Sequence, residues 1–416
     1  MESLKFPGEV FVDTIKIISH SGKEIDVSGL AEDVVIFEDM FATTSSGYIV
    51  INDAVGLIDS LPMIGQELLS VSYRTPTLSE RIVHTFYIYK MTVLSRKFRS
   101  AAYSLNFCST EQINSLNNTI AKSFNGEAST LVSSIFKDER YLGSDKTLYT
   151  ERTKNNIKFI APYWSPLETI NWLSTRAVSV AGDTDFIFYQ DREKYNFRTI
   201  SSLLKGETKR DYVFGDVDSA TSFGPNGDYE QKYRVVELVE DQTTFDYMRI
   251  QSAGANASYL YTFDVTTRAA ALHEFDYLND FDSSSHLNKY PLRSSELKRS
   301  KKSNFNFVLK NEYVSGRPVK TPFDSGYLKR AAIVSLLNTV KINVKTYGRT
   351  DMKVGDVVKF SIPDNRQIGK ESILSDVKSD YYSGRYLVTA IRHQFKFNQH
   401  SMHMELVNDS FNTRIE

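Results

Sequence analysis

The sequence has a single cysteine, Cys108, among 416 residues. No intramolecular disulfide can form, so nothing ties the chain to an oxidising compartment. Net charge is also nearly absent, because 50 Lys and Arg meet 51 Asp and Glu, a balance of −1. Such a surface has no overall pull on nucleic acid, although a local patch could still bind it. No apolar run reaches the roughly 18 residues that a membrane-spanning helix needs. Residues 1–10 hold Glu2, Lys5, Pro7 and Glu9 and no apolar core, which argues against a signal peptide. Synthesis in a cytoplasm and a soluble fold are the plain expectation. Catalytic fingerprints are missing as well. There is no phosphate-binding Gly-rich loop before a Lys, no Gly-x-Ser-x-Gly elbow, no His-Glu-x-x-His and no dinucleotide-binding glycine motif. Their absence lowers the expectation of an enzyme.

What is present is ordinary in amount and biased in kind. Hydrophobic residues make up 41% and charged residues 24%, as in folded globular chains. The length suggests two to four domains. Tyr and Phe number 24 and 26 against only 2 Trp. Both favour the half-buried surface of sheets and the centres of interfaces.

Short apolar runs with turn signals between them fill residues 10–108. They lie at 10–18, 34–37, 47–51, 68–73, 82–94 and 101–107, separated by Ser21-Gly22, Ser45 to Gly47 and Pro76. This spacing predicts strands of a sandwich or barrel. Residues 112–205 change character. The 116–142 stretch carries helical spacing, with Ile120, Phe124, Leu131, Ile135 and Phe136 on one side and a break at Gly126. Ser165, Pro166 and Glu168 form a helix start. Leu167, Ile170, Leu173, Ala177 and Val180 continue the period, and Gly182 is placed to end it. Residues 185–189 and 195–200 read as a hairpin.

Charge then segregates. Residues 211–247 hold nine acids and two bases, with a strand expected at 233–240, whereas residues 283–330 hold eleven bases and three acids. Further on, a helix capped by Ser325 is expected to run to about Asn338. A strand at 340–346 and a turn followed by a strand at 352–360 come next, and a last hairpin spans 385–396 and 400–407. A second barrel is the working reading of 340–407.

Few residues suggest chemistry. His393, His400 and His403 are the nearest thing to a metal cluster. His400 and His403 are an odd number apart, so on a strand they face opposite sides, which disfavours a shared ion. Cys108 reads as a buried core thiol. Glu38 and Asp39 are adjacent on a strand and read as ordinary polar positions. The basic run Lys298, Arg299, Lys301 and Lys302 is a candidate contact with the acidic 211–247 stretch across a subunit boundary, where opposite fields set register. No catalytic residue, metal ligand or cofactor is assigned.

Several segments carry a resemblance. They are 383–393 with 402–410, 352–360, 165–181, 185–191 and 195–203. Together they resemble the central baseplate hub protein of T-even-type contractile-tailed phages, a family related to the hub part of type VI secretion spikes. Residues 259–326 match nothing in that pattern. The resemblance implies a mainly β fold with α+β insertions. Two β-barrel domains per chain would form a pseudo-sixfold torus as a trimer. The domains implied are a first barrel at 1–112, an α+β domain at 113–205, a second barrel at 206–258 and 327–416, and an insertion at 259–326.

The function implied is that of a structural virion protein of the tail baseplate. Its ring would adapt a threefold spike to the sixfold tail tube around a DNA channel that passes DNA without holding it. The partners implied are further copies of the chain, tail tube or tube-initiator proteins and baseplate wedge proteins. A separate spike protein is expected too, because residue 416 follows directly on the barrel. A hub from a related injection machine belongs to the same class. A tail-associated peptidoglycan hydrolase and a peripheral receptor-binding tail protein are the alternatives. Residues 114–205, where a hydrolase would sit, contain no His or Cys.

Overall fold

The computed structural model describes residues 4–57, 63–78, 80–98, 100–192, 194–215, 233–236, 238–265, 267–293, 304–310, 313–314, 317–318, 323–337, 339–363, 379 and 381–414. Strands dominate it, so the chain is mainly β.

The N-terminal unit has β1 (Phe11–Ile18), β2 (Glu24–Asp26), β3 (Ala31–Asp39), β4 (Ser46–Asp53), β5 (Leu68–Arg74), β6 (Ile82–Lys97) and β7 (Ser100–Ser109). Burial alternates along β4, with Gly47, Ile49 and Ile51 inward. That is the period-2 signal the sequence carries. The strands lie in the order β2–β1–β5–β6–β7–β4–β3. Their inward residues, among them Ile15, Ile49, Leu69, Phe86 and Phe107, form one apolar core. Each such side chain contributes about 1.5–3 kcal/mol through burial, before entropy is set against it.

Next come α1 (Thr110–Asn117), β8 (Ser123–Glu127), α2 (Ala128–Lys137), β9 (Thr147–Thr150), β10 (Asn156–Ile160), α3 (Pro166–Ser174), β11 (Phe186–Gln190), β12 (Lys194–Thr199) and α4 (Ile200–Leu204). The helix start expected at Ser165 is a full capping box. Glu168 N donates to Ser165 Oγ at 3.3 Å, and the Glu168 carboxylate accepts from Ser165 N. Two expectations fail here. The 116–142 stretch is not helical throughout. Residues 123–127 are strand, because Phe124 pairs opposite Phe159 and stacks on it at 5.2 Å. The α3 helix also stops before Gly182. Beyond Ser174 the backbone turns to a tertiary partner, with Lys154 N donating to Val178 O at 3.0 Å and Ser179 bridging Thr153. Ala177 is buried as expected, but Val180 is exposed.

The hairpin β11–β12 appears where expected, and every residue of β11 is buried. Phe186 and Phe188 enter the core of this α+β segment, while Ile187 and Tyr189 enter the C-terminal core. A strand covered on both faces loses the alternation of a half-exposed one.

The rest holds β13 (Thr208–Phe214), β14 (Val235–Val236), β15 (Leu238–Thr243), α5 (Tyr247–Ser252), β16 (Ala257–Asp264), β17 (Ala270–Asp276), α6 (Tyr277–Asp280), β18 (Tyr290–Pro291), β19 (Asn304–Lys310), β20 (Tyr313–Val314), β21 (Arg317–Pro318), α7 (Phe323–Leu337), β22 (Val340–Tyr347), β23 (Val357–Ser361), β24 (Gly384–Lys396), β25 (Gln399–Asn408) and β26 (Ser410–Phe411). Ser325 lies in the first turn of α7 rather than capping it. Strand β13 pairs β23, β23 pairs β24, β24 pairs β25, and β25 pairs β22. Strand β22 pairs β15, and β14 pairs β13. Only residue 237 separates β14 from β15, so this path returns on itself around a core of Ile342, Val344, Phe360, Leu387, Met404 and Leu406. The sheet β17–β16–β19 packs one face on α7, burying Leu260, Phe275, Leu328 and Ala332.

Candidate functional site at the seam between the strand units

One strand belongs to both strand units. Along one edge β24 pairs β25. Along the other it pairs first with β23, from Gly384 to Leu387, and then with β3, from Ala390 opposite Asp39 to Lys396 opposite Asp33. The handover falls at Thr389, where the β25 register shifts by one residue. The Thr389 carbonyl accepts from Met40 N at 2.9 Å. A bulge of this kind bends the strand and re-aims its side chains. The two units therefore form a single sheet.

The tip of the β24–β25 hairpin completes the junction. Phe397 and Asn398 both have positive φ, 51° and 60°, as a tight two-residue hairpin turn requires. Val10 N donates to Asn398 O at 3.0 Å, and His400 N donates to Gly8 O at 2.7 Å. Phe395 enters the N-terminal core, 4.5 Å from the Tyr73 ring. Thr75 and Thr350, both buried, join the units again through hydroxyls 3.1 Å apart.

Beneath the seam lies a buried polar cluster. His393 Nε2 is 3.4 Å from Glu38 Oε1, and His393 Nδ1 is 3.0 Å from His400 Nε2. Glu38 and His393 are each 1% exposed, and His400 is fully buried. Burial raises the pKa of Glu38, but the imidazole of His393, followed by Arg192 and His84, outweighs it and holds the carboxyl below its ordinary value. Burial, together with His393 and Arg192, drives His400 well below the usual histidine range, so it is neutral. His84, hydrogen-bonded to Tyr73 Oη at 3.2 Å, is pushed by burial down to about 4. The α+β segment reaches this region through Arg192, whose Nη1 donates to Met352 O at 3.3 Å.

The reading of Glu38 as an ordinary polar position is thus corrected, because Glu38 is buried and the neighbouring strand β24 sets His393 diagonally beside it on the same face of the sheet. His400 and His403 do face opposite sides. His403 Nδ1 meets Glu240 Oε1 at 2.8 Å on the outer side. Cys108 is buried. Among the described residues, no group of three or more His, Cys, Asp or Glu could hold a metal ion. Lys298, Arg299, Lys301 and Lys302 lie outside the described residues, as does much of their expected acidic counterpart.

On the outer side, a cleft of about 410 Å³ runs over β3, β24, β25, β22 and β15, with Asp39, Arg392, His403, Glu240 and Glu405 on its walls. Two of its acids are paired locally, Glu240 with His403 and Glu405 with Lys341. Glu405 also accepts from Thr389 Oγ1 at 2.7 Å.

Among the described residues, two of the open strand edges carry exposed apolar side chains on or beside them. Strand β5 pairs β6 only up to Tyr87. Beyond it, residues 89–97 pair β7 on one side alone, and all of them are exposed. Register shifts at Tyr89 and Leu94 twist this arm. Strand β15 likewise pairs only β22.

No protein-family model and no curated protein matches the chain by sequence. Solved structures do match. The 43 kDa tail protein of prophage MuSo2 from Shewanella oneidensis aligns at a TM-score of 0.56 and 10% identity, covering 95% of this chain and 98% of that one. The tail protein from Neisseria meningitidis MC58 aligns at 0.53 and 10% identity, covering 95% and 96%. The fold is that of these phage tail proteins. The resemblance read from the closing hairpin is borne out at this level. Nearly the whole length of both tail proteins is covered, and the fold likeness extends over 95% of this chain.

Proposed function

We propose that the chain is a structural, non-enzymatic subunit of a phage-type tail baseplate and forms its central hub. Three copies would make a ring of six strand units around a DNA channel. The observation that carries this reading is the shared strand β24, which sets two strand units side by side in one sheet. A sixfold tube and a threefold spike cannot meet through identical contacts. Two similar but unequal units per chain solve the mismatch, since three chains then offer six near-equivalent positions to the tube and three to the spike. We read residues 1–112 and 206–258 with 327–416 as the two barrels, 113–205 as the α+β domain and 259–326 as an insertion. The four apolar clusters, at 10–107 with Phe395, at 120–197, at 250–336 and around 187–411, support that division.

The partners proposed are a separate spike protein, tail tube or tube-initiator proteins and baseplate wedge proteins. The place proposed is the virion tail, after synthesis in the host cytoplasm. The test is the mass of the purified chain by light scattering, alone and with the spike protein of the same tail, joined to end-on electron microscopy. A threefold ring in either condition is the expected result. A strict monomer in both conditions would overturn the reading.

A further inference from the structure

We propose that strand β6 of one copy pairs along its open edge with strand β15 of the next copy, so that copies join head to tail into a continuous sheet. This rests on the ring reading above and names the contact that would close it. A long, open, apolar strand edge is a template for another strand, and folded proteins cover or blunt such edges. The β6 arm carries two bulges and three basic residues, which disfavour pairing with its own kind, yet its edge is not covered by any described residue and it keeps a run of exposed apolar side chains. Tyr89, Met91, Val93 and Leu94 are exposed along it, and Phe98 at its end is 97% exposed. The β15 edge is of matching kind. Leu238 is exposed on it, and Phe245, Tyr247 and Met248 are exposed just beyond it.

Charge selects the occupant. Residues 82–109 contain Lys90, Arg96, Lys97 and Arg99 and no acid. Strand β15 carries Glu240 and Asp241 and no base. Pairing β6 with β6, or β15 with β15, would set like charges opposite each other, which destabilises a ladder. Pairing β6 with β15 sets opposite charges together and fixes the order of the copies. Because the two edges differ, the contact is head to tail and closes into a ring when the rotation permits. One edge lies on the N-terminal unit and the other on the C-terminal unit. The contact between chains would thus repeat the alternation that the β3–β24 pairing sets up within a chain.

The test uses the full chain. Two charge-reversed variants, K90E/R96E/K97E and E240K/D241K, are compared with the quintuple variant that carries both sets. Far-UV circular dichroism and thermal unfolding confirm that each folds. In light scattering, each one-sided variant should lose at least tenfold in association, and the quintuple variant should regain most of it. Hydrogen exchange should slow at the amides of 89–97 and 238–243 in the assembled protein relative to dilute monomer. If both one-sided variants assemble like the unaltered chain, the strand contact is wrong and the ring reading stands. If association is lost but neither amide set gains protection, the edge pairing is also overturned. An unaltered chain that stays monomeric with and without the spike protein would remove the ring reading, and the contact with it.

Discussion

The imidazoles of His393 and His400 meet at 3.0 Å across the hairpin that both strand units share. The lowered pKa of His400 makes it the neutral member, so the contact is a hydrogen bond and not a pair of charges. Acid should therefore act on this seam. His400 and His84 both titrate below the ordinary histidine value in the folded chain, His84 at about 4. Below about 6.5 the unfolded chain binds protons at these imidazoles that the folded chain does not, down to about 4 for His84, so stability rises with pH across this window. It should be complete above about pH 6.5 and fall as the pH drops, by about 2 kcal/mol for His84 at pH 5, with His400 adding a loss in the same direction. Glu38, whose folded pKa is lowered, adds a loss in the same direction at lower pH. Urea unfolding at a series of pH values would show it. His400→Phe should flatten the slope by about one proton, and an unchanged slope would count against the assignment.

Gly348 is a second pressure point. A Cβ there would fall 2.1 Å from Cγ of His400, whereas at Gly29 it would meet nothing within 4 Å. Overpacking of this kind costs about 1–3 kcal/mol. Gly348→Ala should lower the unfolding midpoint accordingly, with Gly29→Ala, an open surface position, staying within about 0.5 kcal/mol. Equal effects of the two changes would show that the His400 ring can move aside.

Much of the strand content was legible because burial alternates where one face of a sheet meets solvent, as along β4 and β25. The capping box at Ser165 was legible because its signal is contained in four residues. The helical spacing of 116–142 misled at Phe124, since a partner strand decided the outcome and not the local period. Glu38 gave no signal at all. Its partner, His393, is distant in sequence, and no local pattern says that β24 will pair beside β3. The open edges of β6 and β15 were equally invisible, because an edge is defined by a neighbour that is missing.

Removing one member of the buried Glu38–His393 pair should cost more than removing both. Glu38→Leu alone leaves His393 and Arg192 without the carboxylate that offsets their burial, an expected loss of about 3–5 kcal/mol. Glu38→Leu combined with His393→Phe should recover at least about 1 kcal/mol of it, as apolar replacement of a buried pair usually does. Strict additivity in denaturant unfolding would mean that the two side chains do not interact.

Cys108 should be a slow nucleophile in the folded chain. Burial, with a smaller contribution from Glu111, raises its thiol to about 11. The thiolate is the reacting form. At pH 8, alkylation by iodoacetamide should be at least ~100-fold slower in native buffer than in urea, from the thiolate fraction alone. Comparable rates would place the thiol in solvent.

The sharing of β24 also has a temporal side. A ribosome that has finished β7 at Ser109 has made all seven strands of the N-terminal unit, but not the strand that covers β3. That cover arrives only with residues 390–396, about 280 residues after β7. Until then the β3 edge and the gap filled by Phe395 wait for a distant part of the same chain. Such long-range pairing is slow and leaves an edge exposed to other chains. A product that stops before residue 390 would carry an N-terminal unit whose β3 edge is unpaired, so the seam ties the folding of the first strands to the synthesis of a segment far along the chain.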